Sequence, residues 1–412
     1  MAKQVSGRAH EGTGRGRREN GGRRVRVEAL DEDARDRAVA LVVEAPCSCT
    51  GRLEPLILSI FDLCRLNYVA GAVYAEAARA LLTRRALDPT AVTAIGVDGQ
   101  TIYQEPPDRA GIQALPDADD LVARWLDGPY PCGLQIGEPS LIAAHTDITT
   151  VAQFRPADHA VGGTGAPLMQ YLDFVAFRER GPVLTLNIGG IANCQFAHPD
   201  RSRMRAFDTG PGNVMLDHAA RRLFDLPHDP DGRLAAAGEV DERMLTELLA
   251  HPFFQRRPPG SAWRLDFGAA YADQVLDTYA AVRPEDIMAT LCAFTATSIV
   301  RAIVEHVPEA GLVTALIASG GGVRNACLMR LLGERLPAHM RLTTSDEYGI
   351  PAQFKEAIKF ATLAFATINN VANNIPACSG ATRYTILGKI APAPRLARGV
   401  HPQEGDGHAA AR

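Results

Sequence analysis

Asp208-Thr209-Gly210-Pro211-Gly212-Asn213 is the segment of this sequence best equipped for chemistry. Asp208 follows an aromatic at a strand end and precedes a glycine turn, a place from which a carboxylate projects into a cleft. There it could accept a proton from an attacking hydroxyl or water, or hold Mg2+ through a water. It could equally cap the helix that follows, or close the turn as an Asx residue. On the residues alone both readings stay open. Two more glycine turns follow strands, Gly189-Gly190 and Gly320-Gly321-Gly322. Glycine lets backbone N–H groups approach phosphate oxygens, and a helix start behind the turn adds a favourable dipole. One such turn is usually a tight connection and nothing more; three in one half of the chain favour a nucleotide cleft. None fits a Walker loop, which needs Gly-Lys-Ser/Thr, nor the G-x-G-x-x-G fingerprint.

In the first half, Asp98-Gly99-Gln100-Thr101 and Phe154-Arg155 sit at strand ends. Gln100 offers a donor and an acceptor, and Arg155 can clamp an anionic or hydroxylated ligand with two bonds. Each, taken singly, is more often a surface loop residue. Gly162-Gly163-Thr164-Gly165-Ala166-Pro167 is a further small-residue turn where a ligand could approach backbone. Lys355 and Lys359, one helical turn apart, read as a solvated helix face. Cys47 and Cys49 have no partner cluster of the zinc-binding kind, so no metal site is expected.

The elements that must carry these residues alternate. Strands are expected at Ala38–Glu44, Leu87–Ile95, Ile148–Phe154, Val183–Ile188, Ala192–Phe196 and Ala315–Ala318. Helices are expected over 54–83, Leu141–His145, Val214–Leu223, 284–307, Ala326–Leu336 and Phe354–Asn370, the long one from Ile287, Leu291, Phe294, Ile299 and Ile303 at helical spacing. Strand, glycine turn and helix recurring in this way mean an α/β protein with crossover-connected sheets.

Composition agrees. The 412 residues are 46% hydrophobic and 22% charged, with a net charge of −4, ordinary for a soluble globular protein. No apolar run reaches the roughly 18–20 residues of a membrane span, so no membrane role is expected. Eight cysteines are too few and too scattered for a disulfide scaffold, which suggests reduced thiols and a cytoplasmic setting. Residues 1–26 hold eight Lys/Arg against Glu11 and Glu19, an excess of +6 that leaves −10 on the rest and argues against nucleic acid as a partner of the body. This Arg/Gly-rich head, 1–35, is expected to be a disordered tail, as is 393–412. Between them the reading places a sugar-side α/β domain over 36–180 and an ATP-binding α/β domain over 181–392.

Taken in order, the motifs resemble the anhydro-N-acetylmuramic acid kinases and their fungal relatives, the levoglucosan kinases. The segments that carry the resemblance are AIGVDGQTIYQEP (94–106), LQIG (134–137), ITTVAQFRPADHAVGGTGAPL (148–168), LNIGGIANC (186–194), FDTGPGNVMLD (207–217), PPGSAWRLDF (258–267), ASGGGVRNACLM (318–329), KEAIKFATLAFATI (355–368) and TILGKI (385–390). The resemblance spans about 52–392; KEAIKFA and YTILGKI look most like the fungal branch. It implies the actin-like ATPase fold of sugar kinases, two α/β domains around a cleft, and an ATP- and Mg2+-dependent phosphorylation of a 1,6-anhydro sugar with ring opening. By the same matching Asp208 is the general base for water. Gly189 and Gly190 lie along the phosphates, Gly320, Gly321, Gly322 and Asn325 near the adenosine, and Gly210, Gly212 and Asn213 also bind ATP. Gln100, Arg155, Gly163, Gly165 and Thr209 lie on the sugar side. The expected partners are the small anhydrosugar and ATP, with a homodimer among the expectations.

The sequence also departs from the family's pattern. The Ser-Gly-Thr-Ser-x-Asp-Gly turn with which the family cradles the β- and γ-phosphates does not occur in it, so the N-terminal domain is expected to lack its first strand and phosphate turn. That loss would impair positioning and charge neutralisation in the transition state. Asp98 stands where the family has His, Gln153 where it has Asp, Thr164 where it has Gln, and Ser261-Ala262-Trp263-Arg264-Leu265 where it has Ser-Thr-Gly-Arg-Glu. A carboxylate at 98, in a site that receives a polyanion, is unfavourable unless paired. A degenerate pseudokinase, or a non-catalytic sugar- or nucleotide-binding protein, is therefore the alternative reading.

Overall fold

The computed structural model describes residues 24–29, 39–44 and 56–394, except 106, 108–120, 127–129, 181, 258–261 and 263. The rest of the two expected tails lies outside the described residues. Strands β1 (Arg24–Ala29), β2 (Val39–Glu44) and β3 (Leu56–Ser59) pair antiparallel in the order β1-β2-β3. They belong to a unit of their own, Met1–Asp62, and β1 falls inside the segment read from sequence as tail. Residues Leu63–Arg412 form the second unit. The boundary expected near 180 falls within that unit, between the turn Arg178–Arg180 and the next strand.

The second unit holds two sheets that matter for function. The larger consists of β8 (Val183–Ile188), β9 (Ile191–Ala197), β10 (Arg205–Pro211), β11 (Ala315–Ser319) and β12 (Arg341–Thr344). Its order is β10-β9-β8-β11-β12: an antiparallel hairpin pair, then two parallel strands reached by crossovers. The smaller has β4 (Ile95–Val97), β7 (Thr150–Ala152) and β13 (Lys389–Ala391) in the order β13-β7-β4, beside a hairpin of β5 (Gln100–Gln104) and β6 (Gly133–Ile136). The protein is α/β, and the mixed five-stranded sheet is the largest among the described residues.

Strand alternation divides the large sheet into two unlike faces. Leu184, Leu186, Ile188, Ala192, Cys194, Phe196, Phe207 and Leu316 point one way into the main core. That core is closed by helices α1 (Val214–Phe224), α2 (Pro284–His306) and α3 (Ala326–Arg335). Val183, Ala197, Ala206 and Ile317 point the other way, into a second core shared with α4 (Met169–Phe177) and α5 (Lys355–Ile368) and with Val151 and Phe154 at the end of β7. α2 is 23 residues long and apolar enough to cross a membrane by length and composition. Of its most apolar 18-residue stretch 78% is buried inside the protein, so it is a core helix. The six described cysteines outside the first unit are free thiols.

Most elements fall within a residue or two of expectation, with four corrections. The helix expected over 54–83 begins only at Ile60, because Leu56–Ser59 is the strand β3. Leu87–Ile95 is not a strand: Asp88 accepts the Thr90 N–H at 2.8 Å and Pro89 opens a 3-10 turn, leaving only Ile95–Val97 extended. The DTGP motif does not interrupt the sheet. It continues β10 to Pro211 through a bulge between Asp208 and Gly210, and a bulge of this kind re-aims the side chain beside it. Lys355 and Lys359 do not form a solvated face; both are buried. The Lys355 ammonium is 2.7 Å from Asp173 on α4, and Lys359 pairs with Glu356 and lies over the Phe360 ring.

Phe294, fully buried at the middle of α2, stacks edge-on with Phe254 and Phe267. Truncating it leaves a void at the centre of that aromatic cluster. Phe294→Ala should cost about 3–5 kcal/mol, read as a lower urea midpoint with an unchanged m-value.

Candidate active site

Asp208 lies three residues, about 10 Å, back along β10 from Pro211, on the second face of the sheet. Its Oδ2 accepts the N–H of Ala262 at 2.8 Å. Its Oδ1 has no hydrogen-bond partner among the described residues. The Ala262 donor is carried by the segment that Phe253, Phe254 and Phe267 anchor to the core. Solvent reaches part of the residue, yet the carboxyl group itself is desolvated, which drives its pKa from 3.8 up to about 7; the Ala262 bond pulls weakly the other way. A carboxylate poised near neutrality with one oxygen held and one free is equipped to take a proton. It does not cap α1, because the N-cap there is Asn213. Thr209 turns inward, and its hydroxyl donates to Ala192 O at 3.2 Å.

The three glycine turns meet at the end of β8. The N–H groups of Gly212 and Asn213 donate to Gly190 O and Gly189 O, both at 2.8 Å, which locks the start of α1 onto the β8–β9 turn. A Cβ on Gly212 would fall on Gly189 O, one on Gly320 (φ +87°) would meet Ile188 O at 2.7 Å, and one on Gly322 would overlap the Ile188 side chain. These three glycines are required by packing. Gly189, Gly190 and Gly321 are different: a Cβ there would find its nearest neighbour at 3.5, 3.9 and 3.9 Å. Backbone left open without a packing need is what a phosphate-binding turn presents, at the mouth of an 11-residue helix whose dipole favours anions. Gly210 adopts φ +127° at the bulge. Asn325 is buried, and its Oδ1 accepts Leu328 N–H at 2.9 Å, so in this structure it caps α3.

The residues expected on the sugar side hold one another. Arg155 donates to Asp98 Oδ2 at 2.9 Å and to Gly165 O at 3.1 Å. The pairing that a carboxylate at 98 requires is therefore present. Asp158 accepts the Gly165 N–H at 2.9 Å, and a Cβ on Gly163 would strike its carboxylate. Gln104 donates to Thr164 O at 3.0 Å. Gly163 and Gly165 are thus brought together with Arg155 as one braced turn, while Gln100 opens β5 with its side chain exposed. Gln153, at the end of β7, sits in the left-handed region at φ +53°.

The sequence reading missed the N–H of Ala262 and a buried polar chain on the Asp208 face. Asp173 joins Lys355 to Thr185, and Thr185 leads through Gln195 to Asn193, the cross-strand partner of Asp208. A signal existed: Thr185, Asn187, Asn193 and Gln195 are polar at alternate positions of otherwise apolar strands.

Phosphoryl transfer is the chemistry such a cleft serves, and the chain is a phosphotransferase of the sugar-kinase class. The model of one family, described as anhydro-N-acetylmuramic acid kinase, matches residues 109–393. Relatives of the same name include a protein from Salinibacter ruber, 40% identical over 82% of each chain. Another, from Caldanaerobacter subterraneus subsp. tengcongensis, is 36% identical over 82% of this chain and 83% of its own, and one from Francisella tularensis subsp. novicida is 37% identical over 80% and 82%. The chain belongs to the anhydro-N-acetylmuramic acid kinase family.

The raised Asp208 pKa is also a stability statement. In the unfolded chain the carboxyl ionises around 3.8, in the folded one around 7, so folding loses stability as pH climbs between the two and stays penalised above. Asp208→Asn should raise Tm relative to the parent at pH 8, and the gain should vanish as pH falls towards 4, in paired thermal melts.

Proposed function

We propose that this protein is a Mg-ATP-dependent kinase that hydrolyses a 1,6-anhydro sugar and phosphorylates it at the 6-position. Asp208 takes one proton from water, whose oxygen forms a bond to the anomeric carbon. The bond from that carbon to the bridging oxygen breaks, and the bridging oxygen takes the γ-phosphoryl group of ATP, releasing ADP. Water's other proton stays on the new anomeric hydroxyl, and Asp208 passes its own to solvent. The observation that carries this reading is the desolvated Asp208 carboxyl, one oxygen tied to Ala262 and the other free, beside three converging glycine turns.

Gly189, Gly190 and Gly321 would lie along the nucleotide, and Mg2+ would arrive on its phosphates as part of the substrate. The turn braced by Arg155, Asp158 and Gln104 would face the sugar. Anhydro-N-acetylmuramic acid, the sugar in the names of the relatives, is the first candidate. Levoglucosan, a neutral anhydrosugar, is the second, supported by the fungal-like KEAIKFA and YTILGKI segments.

ADP release coupled to a dehydrogenase, with the sugar product followed by 31P NMR, tests the proposal. The expected result is sugar-dependent turnover that Asp208→Asn lowers by about 10²–10⁴-fold. With the base near 7, kcat/KM should fall tenfold per unit as pH drops below that value. Turnover unaffected by Asp208→Asn would overturn the assignment of the base. Silence with both sugars, alongside measurable ATP binding, would make the chain a nucleotide-binding pseudokinase.

A further inference from the structure

The polar chain on the Asp208 face has a direction, and the direction is fixed by charge. Asp173 and Lys355 are both fully buried and 2.7 Å apart. A carboxylate against a buried ammonium is ionised, and an ionised carboxylate only accepts. Thr185 Oγ1 stands 2.7 Å from Asp173 Oδ2 and 2.9 Å from the nearer amide atom of Gln195. A hydroxyl has one proton. It goes to Asp173, so the Gln195 atom facing Thr185 has to be the donor, the NH2 group. Gln195 then turns its carbonyl to Asn193, at 2.6 Å, and the Asn193 atom at that contact has to be NH2 in its turn. The amide oxygen and nitrogen of Asn and Gln exchange places by a half-turn of the plane, so heavy-atom positions alone do not decide this and the proton count does.

We infer that Asn193 presents its carbonyl oxygen to the cleft beside Asp208, and that it orients the attacking water there. Asn193 and Asp208 are cross-strand partners on one face, which puts their Cβ atoms about 5 Å apart. Asn193 is half-buried, and its outer amide atom has no partner among the described residues. A water between the two gives one proton to Asp208 and hydrogen-bonds the other to Asn193 Oδ1, leaving a lone pair free for carbon. An NH2 group in that place would instead leave the water's second proton without an acceptor and, by donating to the water oxygen, make it a poorer nucleophile. Asn193 is the water-orienting residue; Gln195, Thr185, Asp173 and Lys355 are positioning residues behind it. This deepens the proposed function and rests on Asp208 being the base.

Two experiments on the full chain test it. Neutron diffraction from deuterium-exchanged crystals should show deuterium on the Gln195 atom facing Thr185 and on the Asn193 atom facing Gln195. Deuterium on the Asn193 atom facing the cleft overturns the inference whether or not the chain turns over. In the kinase assay Thr185→Val should lower kcat by about 10–100-fold with sugar KM within threefold, Thr185→Ser should restore it, and Asn193→Leu should match Thr185→Val without adding to it. Thr185→Val with parental kcat overturns the positioning role. Parental activity in Asp208→Asn overturns the assignment of the base and, with it, the water-orienting role; the neutron map then still decides the amide orientations.

Discussion

Alternation along β8, β9 and β10 is the constraint from which the rest of this structure follows. Each strand must send successive side chains to opposite faces, so a sheet that buries Leu184, Leu186, Ile188, Cys194 and Phe196 on one side has committed Thr185, Asn187, Asn193 and Gln195 to the other. The first face needs only apolar partners, and α2 supplies them. The second cannot be packed that way, because an unsatisfied buried amide costs more than its burial returns. Its polar groups therefore have to find one another. They end at Asp208 on one side and at a buried ion pair on the other.

That ion pair adds little to stability by comparison with an apolar replacement of the same shape. Its service is orientation: a buried charge is the one reference that can tell a neutral amide which way round to sit. The same division runs through the glycines. Those that pack against Ile188 and Gly189 hold the turns together, and those with open space beside them leave backbone exposed for a ligand. Building and binding are done by neighbouring residues of one type, separated only by what a side chain at each would touch.

Much of the large domain was legible because periodicity and punctuation agreed there. Val183–Ile188, Val214–Phe224 and Pro284–His306 are bounded by glycine, asparagine or proline and carry one period throughout. Asp208 was legible as a residue that could act, from its place before a glycine turn. Its environment was not, since the Ala262 N–H comes from 54 residues away. Lys355 shows the same gap: two lysines one turn apart read as a wet face unless the distant Asp173 is known. Leu87–Ile95 failed for a local reason, a proline turn among β-formers. Asp98 was readable as a departure from family pattern, but only the fold shows that Arg155 answers it.

The chain passes between the two sheets of the second unit twice, from β7 out to β8 and from β12 back to β13, which returns to pair antiparallel with β7. Both sheets belong to one unit, so the two crossings join parts of a single body. The core that Val151 and Phe154 share with Val183 and Ile317 lies between them, so the two sheets cannot part without opening it. A segment that leaves one sheet, builds the other and comes back to close the first works as a clasp: the small sheet is complete only once the large one has been built.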